Sequence, residues 1–184
     1  MKTRTRVLTG TALAVALGAG AFGAVSASAT PAQTAQASVA DKKDGPRDKD
    51  FTTSTHLTVD AATRAAQAAL RAAAAENQKV SVAVVDRNGN TVVTLRGDGA
   101  GPQSSESAQR KAFTAVSWNA PTSVLAGRLA QTPNLKDIPG TLFLGGGTPV
   151  QANGAPVAGI GVAGAPSGDL DEKYAKAGVD ALGK

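Results

Sequence analysis

The chain of 184 residues has no cysteine. This excludes thiolate zinc sites and a thiol nucleophile, and it leaves stability to a packed core, which is feasible as a single unit at this length. Aromatic residues are scarce, with one Trp, one Tyr and four Phe. A nucleic-acid binder wants a clustered basic face interleaved with stacking rings, so that class drops out. The only histidine is His56. With no Gly-x-Ser-x-Gly elbow and a single, poorly placed imidazole as base, a serine hydrolase is excluded as well. The run Gly145-Gly146-Gly147 is followed by neither Lys-Ser nor Lys-Thr, and no helix begins there. It therefore reads as backbone turning or close strand approach rather than a phosphate cradle.

What is present begins with Lys2, Arg4 and Arg6 and an uncharged run from Val7 to Ala29 rich in Ala, Leu, Val and Gly. Cations, then an apolar stretch, then small residues is the order of a secretory signal, with Ala27-Ser28-Ala29 as the best cleavage site. Val25-Ser26-Ala27 is a second cleavage candidate, and an uncleaved membrane anchor is the competing reading. Residues 1–29 are thus expected to be a signal peptide, residues 30–55 a charged tether and residues 56–184 the folded domain. Three of the 19 cations lie in the leader, so the exported chain would carry 16 cations against 14 acidic residues, a net +2. No later segment is apolar enough for membrane insertion. The tether expectation rests on Asp41–Asp50, a mixed-charge run that cannot bury a core.

Downstream, Val59 to Asn77 has an apolar side of alanines with Leu70 and a polar side of Arg64, Gln67 and Arg71, which predicts a helix. Lys79–Asp86 and Thr91–Arg96, separated by Arg87-Asn88-Gly89-Asn90, predict a hairpin. A second helix from Ser104 or Ser105 as cap to Trp118 and a third from Pro121 to Ala130 follow. Short strands are expected at Gly140–Leu144, Pro149–Gln151 and Pro156–Gly164, and a last helix capped by Asp169, with Glu172 three residues on, runs to Leu182. This order predicts an α+β fold, with a central antiparallel sheet of about five strands covered by about four helices.

Four stretches recur in order and at family spacing: S-V-A-V-V-D-R-N-G-N from Ser81, S-x-x-S-A-Q-R-K-A-F-T-A from Ser104, G-G-G-T-P-V from Gly145, and G-A-P-V-A-G-I-G-V-A-G from Gly154 with D-E-K-Y-A-K-A-G from Asp171. On these the chain, from about Leu57 onward, resembles the GlcG/HbpS family, and the leader with its charged tether is similar to the secreted haem-binding branch. The resemblance implies an extracytoplasmic haem-binding protein that forms a homo-oligomer, an octamer in that branch. It further implies a partnership with a membrane sensor histidine kinase in redox and iron sensing. The chain departs from relatives at Ala165-Pro166, where many members have Gly-Gly, and in that its only histidine, His56, lies at the junction of tether and domain rather than in a histidine-ligated pocket.

Haem needs an apolar slot, cations or donors for its propionates and an axial group. Arg110 and Thr114 are four residues apart and share a helix face, with Ser107, Lys111 and Trp118 at neighbouring positions. Thr114 resembles the threonine implicated on the iron side in that branch; alternatively its hydroxyl bonds back to its own helix. His56 is a second candidate for the iron. Asp169, Asp171 and Glu172 could hold iron ions by carboxylate oxygens or simply favour a helix start. A haem-degrading or small-organic-acid-processing enzyme is the alternative function, and a purely structural oligomer a third.

Overall fold

The computed structural model describes residues 45–183, so the expected signal peptide and most of the expected tether lie outside the described residues. Residues 45–56 are all exposed. Thr58 opens the first helix, α1 (Val59–Ala75), its hydroxyl accepting from the Ala61 amide at 3.2 Å. The buried stripe of α1 is alanine throughout (Ala62, Ala65, Ala66, Ala69 and Ala73), which lets its backbone sit close to its neighbours.

Strands β1 (Ser81–Asp86), β2 (Thr91–Arg96), β3 (Gly147–Ala152) and β4 (Ala155–Ala163) form one open sheet in the order β2-β1-β4-β3, antiparallel throughout. The two-residue side-chain period divides the core. Val82, Val84, Ile160 and Val162 point to one face, where they meet α1 and the last helix, α4 (Gly168–Asp180), with its fully buried Tyr174. Ala83, Val85 and Ala163 point to the other, beneath the second helix, α2 (Ser104–Trp118). Each large side chain on the first face contributes about 1.5–3 kcal/mol by leaving water. The second face is built from small residues instead: a Cβ at Gly159 or Gly161 would overlap the carbonyl oxygens of Ala112 and Ala108, so α2 rests almost directly on β4.

The α+β class and the antiparallel sheet are as the sequence predicts, but the sheet has four strands, not five. Gly140–Leu144 is not a strand, because its backbone groups bond to side chains of α2 rather than to a ladder. The helix caps also differ. Gln103 precedes α2, and Ser104 instead bonds to the Gly101 carbonyl and to Ser81 beneath the helix. Ser167, not Asp169, caps α4 by accepting from Leu170, and α4 ends at Asp180. The third helix, α3 (Thr122–Gly127), is shorter than expected and passes into a single 3-10 turn, Arg128–Ala130.

Asp86 closes the β1–β2 turn, accepting from the amides of Asn88 and Asn90 at 2.8 Å each. Burial would raise its pKa, but the bonds from Asn90 and Asn88 and the nearby His56 outweigh that and hold it below its ordinary 3.8. A depressed carboxylate contributes stability above its unfolded pKa and loses it as pH falls through the native one. The melting-temperature gap between the wild type and Asp86→Asn is therefore expected to narrow between about pH 5 and about pH 2.

Candidate functional site

Helix α2 turns Ala108, Ala112 and Ala115 to the sheet, which leaves Arg110 and Thr114 on its flank. That flank meets the segment between Gly140 and Leu144. Arg110 donates from Nη2 to the Thr141 carbonyl at 2.8 Å and lies 3.9 Å from Glu106, with 42% of its side chain exposed. Thr114 is fully buried: its Oγ1 donates to the Arg110 carbonyl and accepts from the Leu142 amide, both at 2.8 Å. Trp118, one turn on, meets Phe143 edge to face with centroids 5.3 Å apart. The structure thus brings Arg110, Thr114 and Trp118 together along one short segment.

Lys111 faces the other way. Its ammonium is buried, 2.8 Å from Asp171 Oδ2 and 3.1 Å from the Val162 carbonyl, so it is held inside rather than offered to a propionate. Burial pushes the Asp171 carboxyl above its ordinary value, against the pull of Lys111 and of the Ala165 amide that donates to Oδ1 at 3.0 Å. Its neighbour Glu172 is engaged separately, accepting from the amide and hydroxyl of Ser123 at 2.9 and 2.6 Å and so capping α3 from outside. Asp169 is exposed. Asp169, Asp171 and Glu172 do not converge, and among the described residues no group of three or more His, Asp or Glu could hold a metal ion.

His56 sits elsewhere, its Nε2 2.7 Å from Ser54 Oγ and its Nδ1 4.0 Å from Asp86. Among the described residues, Tyr174 is the remaining side chain of a type that ligates haem iron strongly, and it is unavailable. It is fully buried, donates to Glu76 at 2.9 Å, and burial with that carboxylate raises its pKa to about 12. Beside Arg110 lies an open cleft of about 170 Å³ lined by Val85, Gly89, Thr91, Phe113 and Gly140. Ligand pockets usually span about 300–1,000 Å³, so this cleft holds only an edge of a porphyrin. A larger open cleft of about 390 Å³, walled by Leu70, Ala74, Lys79 and Asp98, contains none of the candidate site residues.

The Arg110–Thr114 spacing and the Gly-rich β4 were visible in the sequence. The Lys111–Asp171 pair was not, since its members are 60 residues apart, and only the capping pattern at Asp169–Glu172 drew attention to that region.

Comparison with curated proteins yields no match. Among solved structures, a double mutant of HbpS from Streptomyces reticuli is 74% identical, with a TM-score of 0.75 over 76% of this chain and 96% of that one. A second crystal structure of HbpS is 75% identical, with a TM-score of 0.75 over 76% of this chain and 99% of its own. A PduOC:heme complex is 26% identical, with a TM-score of 0.63 over 69% of this chain and 95% of its own. Residues 57–180 match the family described as haem degrading protein HbpS-like, and with that match the chain belongs to the HbpS-like family.

Proposed function

We propose that this protein binds haem outside the cell and serves as an accessory component of haem, redox and iron sensing. The observation that carries the reading is that a relative with this fold and 26% identity is crystallised as a heme complex. The chain's own residues fit the group in part. Arg110 offers a half-exposed guanidinium for a propionate, Phe113 and Val85 an apolar edge, and Trp118 with Phe143 an aromatic pair along the same flank. Thr114 is the iron-side candidate and His56 the alternative; a hydroxyl is a weak ligand, so apolar contact and propionate pairing supply most of the affinity. Bound haem would give the protein a redox-active iron and a spectroscopic signature.

Because the cleft is small, the proposal includes a second copy completing the site in a homo-oligomer, an octamer as in the resembling branch. The leader at residues 1–29 directs export, the charged residues 30–55 tether the domain, and the partner is the extracytoplasmic part of a sensor histidine kinase. Among the described residues no helix is long and apolar enough to cross a membrane. Haemin titration is expected to give a saturable Soret shift at micromolar protein, weakened by about tenfold in Arg110→Ala, a loss of one charge-assisted contact. No saturable shift overturns the reading. Thr114→Ala and His56→Ala separate the two ligand candidates, since the variant that loses the ligand changes the spectrum of the bound iron.

The family description favours a second reading, haem degradation. Under it, a reductant and oxygen would bleach the bound haem and release iron with turnover, whereas a stable spectrum under the same conditions marks a binding protein.

A further inference from the structure

We infer that the Gly140–Gly146 segment is a latch: in the free chain it occupies the Arg110–Thr114–Trp118 flank of α2, and a flat apolar ligand reaches that flank by displacing it. The inference rests on the haem reading for the identity of the ligand and on four observations for the device. The segment between Gly140 and Leu144 has strand-like composition yet pairs with no strand. Its backbone is held by the two polar side chains of the flank, Arg110 on the Thr141 carbonyl and Thr114 on the Leu142 amide. Its one aromatic ring, Phe143, packs edge to face with Trp118. Both ends turn at glycines in the left-handed half of backbone space, Gly140 at φ +80° and Gly146 at φ +125°.

Haem and the latch compete for the same groups. The guanidinium that would pair with a propionate now holds Thr141, and the hydroxyl proposed for the iron side now holds Leu142. A ligand opens such a contact only through its preference for the open form, and the closed fraction lowers its apparent affinity. Loosening the latch without touching Arg110 or Thr114 therefore tightens binding, the opposite of what a structural loop would do. Leu142→Pro removes the amide that Thr114 accepts from. Gly140→Ala places a side chain at φ +80°, which strains the closed backbone, while its Cβ would make an ordinary van der Waals contact with Phe113 at 3.7 Å.

The test pairs haemin titration with amide hydrogen exchange on the full chain. The expected result is slow exchange at Leu142 in free protein, faster exchange there once haemin is added or, without haemin, in Gly140→Ala, and apparent affinity about fivefold tighter in Leu142→Pro. Gly140 itself lines the cleft, so its variant is read by exchange alone. A wild-type Soret shift with Leu142 protection unchanged, and Leu142→Pro binding equally or more weakly, overturns the latch and leaves haem binding standing. No Soret shift in the wild type or either variant overturns the haem reading itself. The exchange measurement on wild-type protein decides the matter even if a variant fails to fold.

Discussion

Asp171→Ala, with Lys111 left in place, is expected to lower the unfolding free energy by about 3–5 kcal/mol, read as a drop in the urea midpoint at unchanged slope. The two side chains are only 6% and 5% exposed, so removing the carboxylate leaves an ammonium in the interior with a single carbonyl, that of Val162, as partner. The same change strands the Ala165 amide, which donates to Asp171 Oδ1 at 3.0 Å. Lys111 has no cheap escape, since its ammonium lies just beneath Gly146 and the covering turn would have to lift.

The attribution to an unpaired charge, rather than to lost packing, is checked by a second change. Lys111→Met combined with Asp171→Asn removes both charges, while the Asn carbonyl keeps accepting from Ala165. That double variant is expected to fall within about 2 kcal/mol of wild type, because a buried ion pair is worth little against a neutral replacement of similar shape. A double variant as unstable as Asp171→Ala would mean that the pair fixes the α2–β4–α4 packing by geometry instead. In either case Lys111 is withdrawn from any ligand, and the cation left for a propionate on this flank is Arg110.

The elements that a local rule can specify were legible in the sequence. The alanine stripe of α1, the β1–β2 hairpin turn and the length of α2 follow from periodicity and turn chemistry, and all three stand where the pattern puts them. The misread elements are those settled by partners distant in sequence. Thr141 to Leu144 has the composition of a strand, but Arg110 and Thr114 claim its backbone, 31 and 28 residues away. Glu172 has the spacing of a capping-box residue, yet its carboxylate reaches Ser123 across 49 positions, and Ser167 takes the cap. For the site, the i,i+4 relation of Arg110 and Thr114 was available from number alone. Which way Lys111 turns was not, since it depends on α2 lying flat on a glycine track and on Asp171 arriving from α4.

That track yields the other large expected effect. Gly161→Ala should cost about 3 kcal/mol, the upper end of overpacking, because the new methyl would overlap the Ala108 carbonyl and crowd the Ala112 amide, both backbone atoms of α2. No rotamer change can relieve such a clash; the helix must rise from the sheet. Gly127→Ala supplies the comparison, since nothing lies within 4 Å of a Cβ there, and it should be neutral or stabilise α3 by up to about 1 kcal/mol. Lifting α2 has a second consequence, because the helix carries both the Arg110–Thr114 flank and the chain's single tryptophan, Trp118. In protein that remains folded, Gly161→Ala should therefore shift Trp118 emission as its contact with Phe143 loosens, with faster exchange at the Leu142 amide. Emission and exchange like those of wild type, beside a full loss of stability, would mean that the strain is taken up by β4 and that α2 keeps its seat.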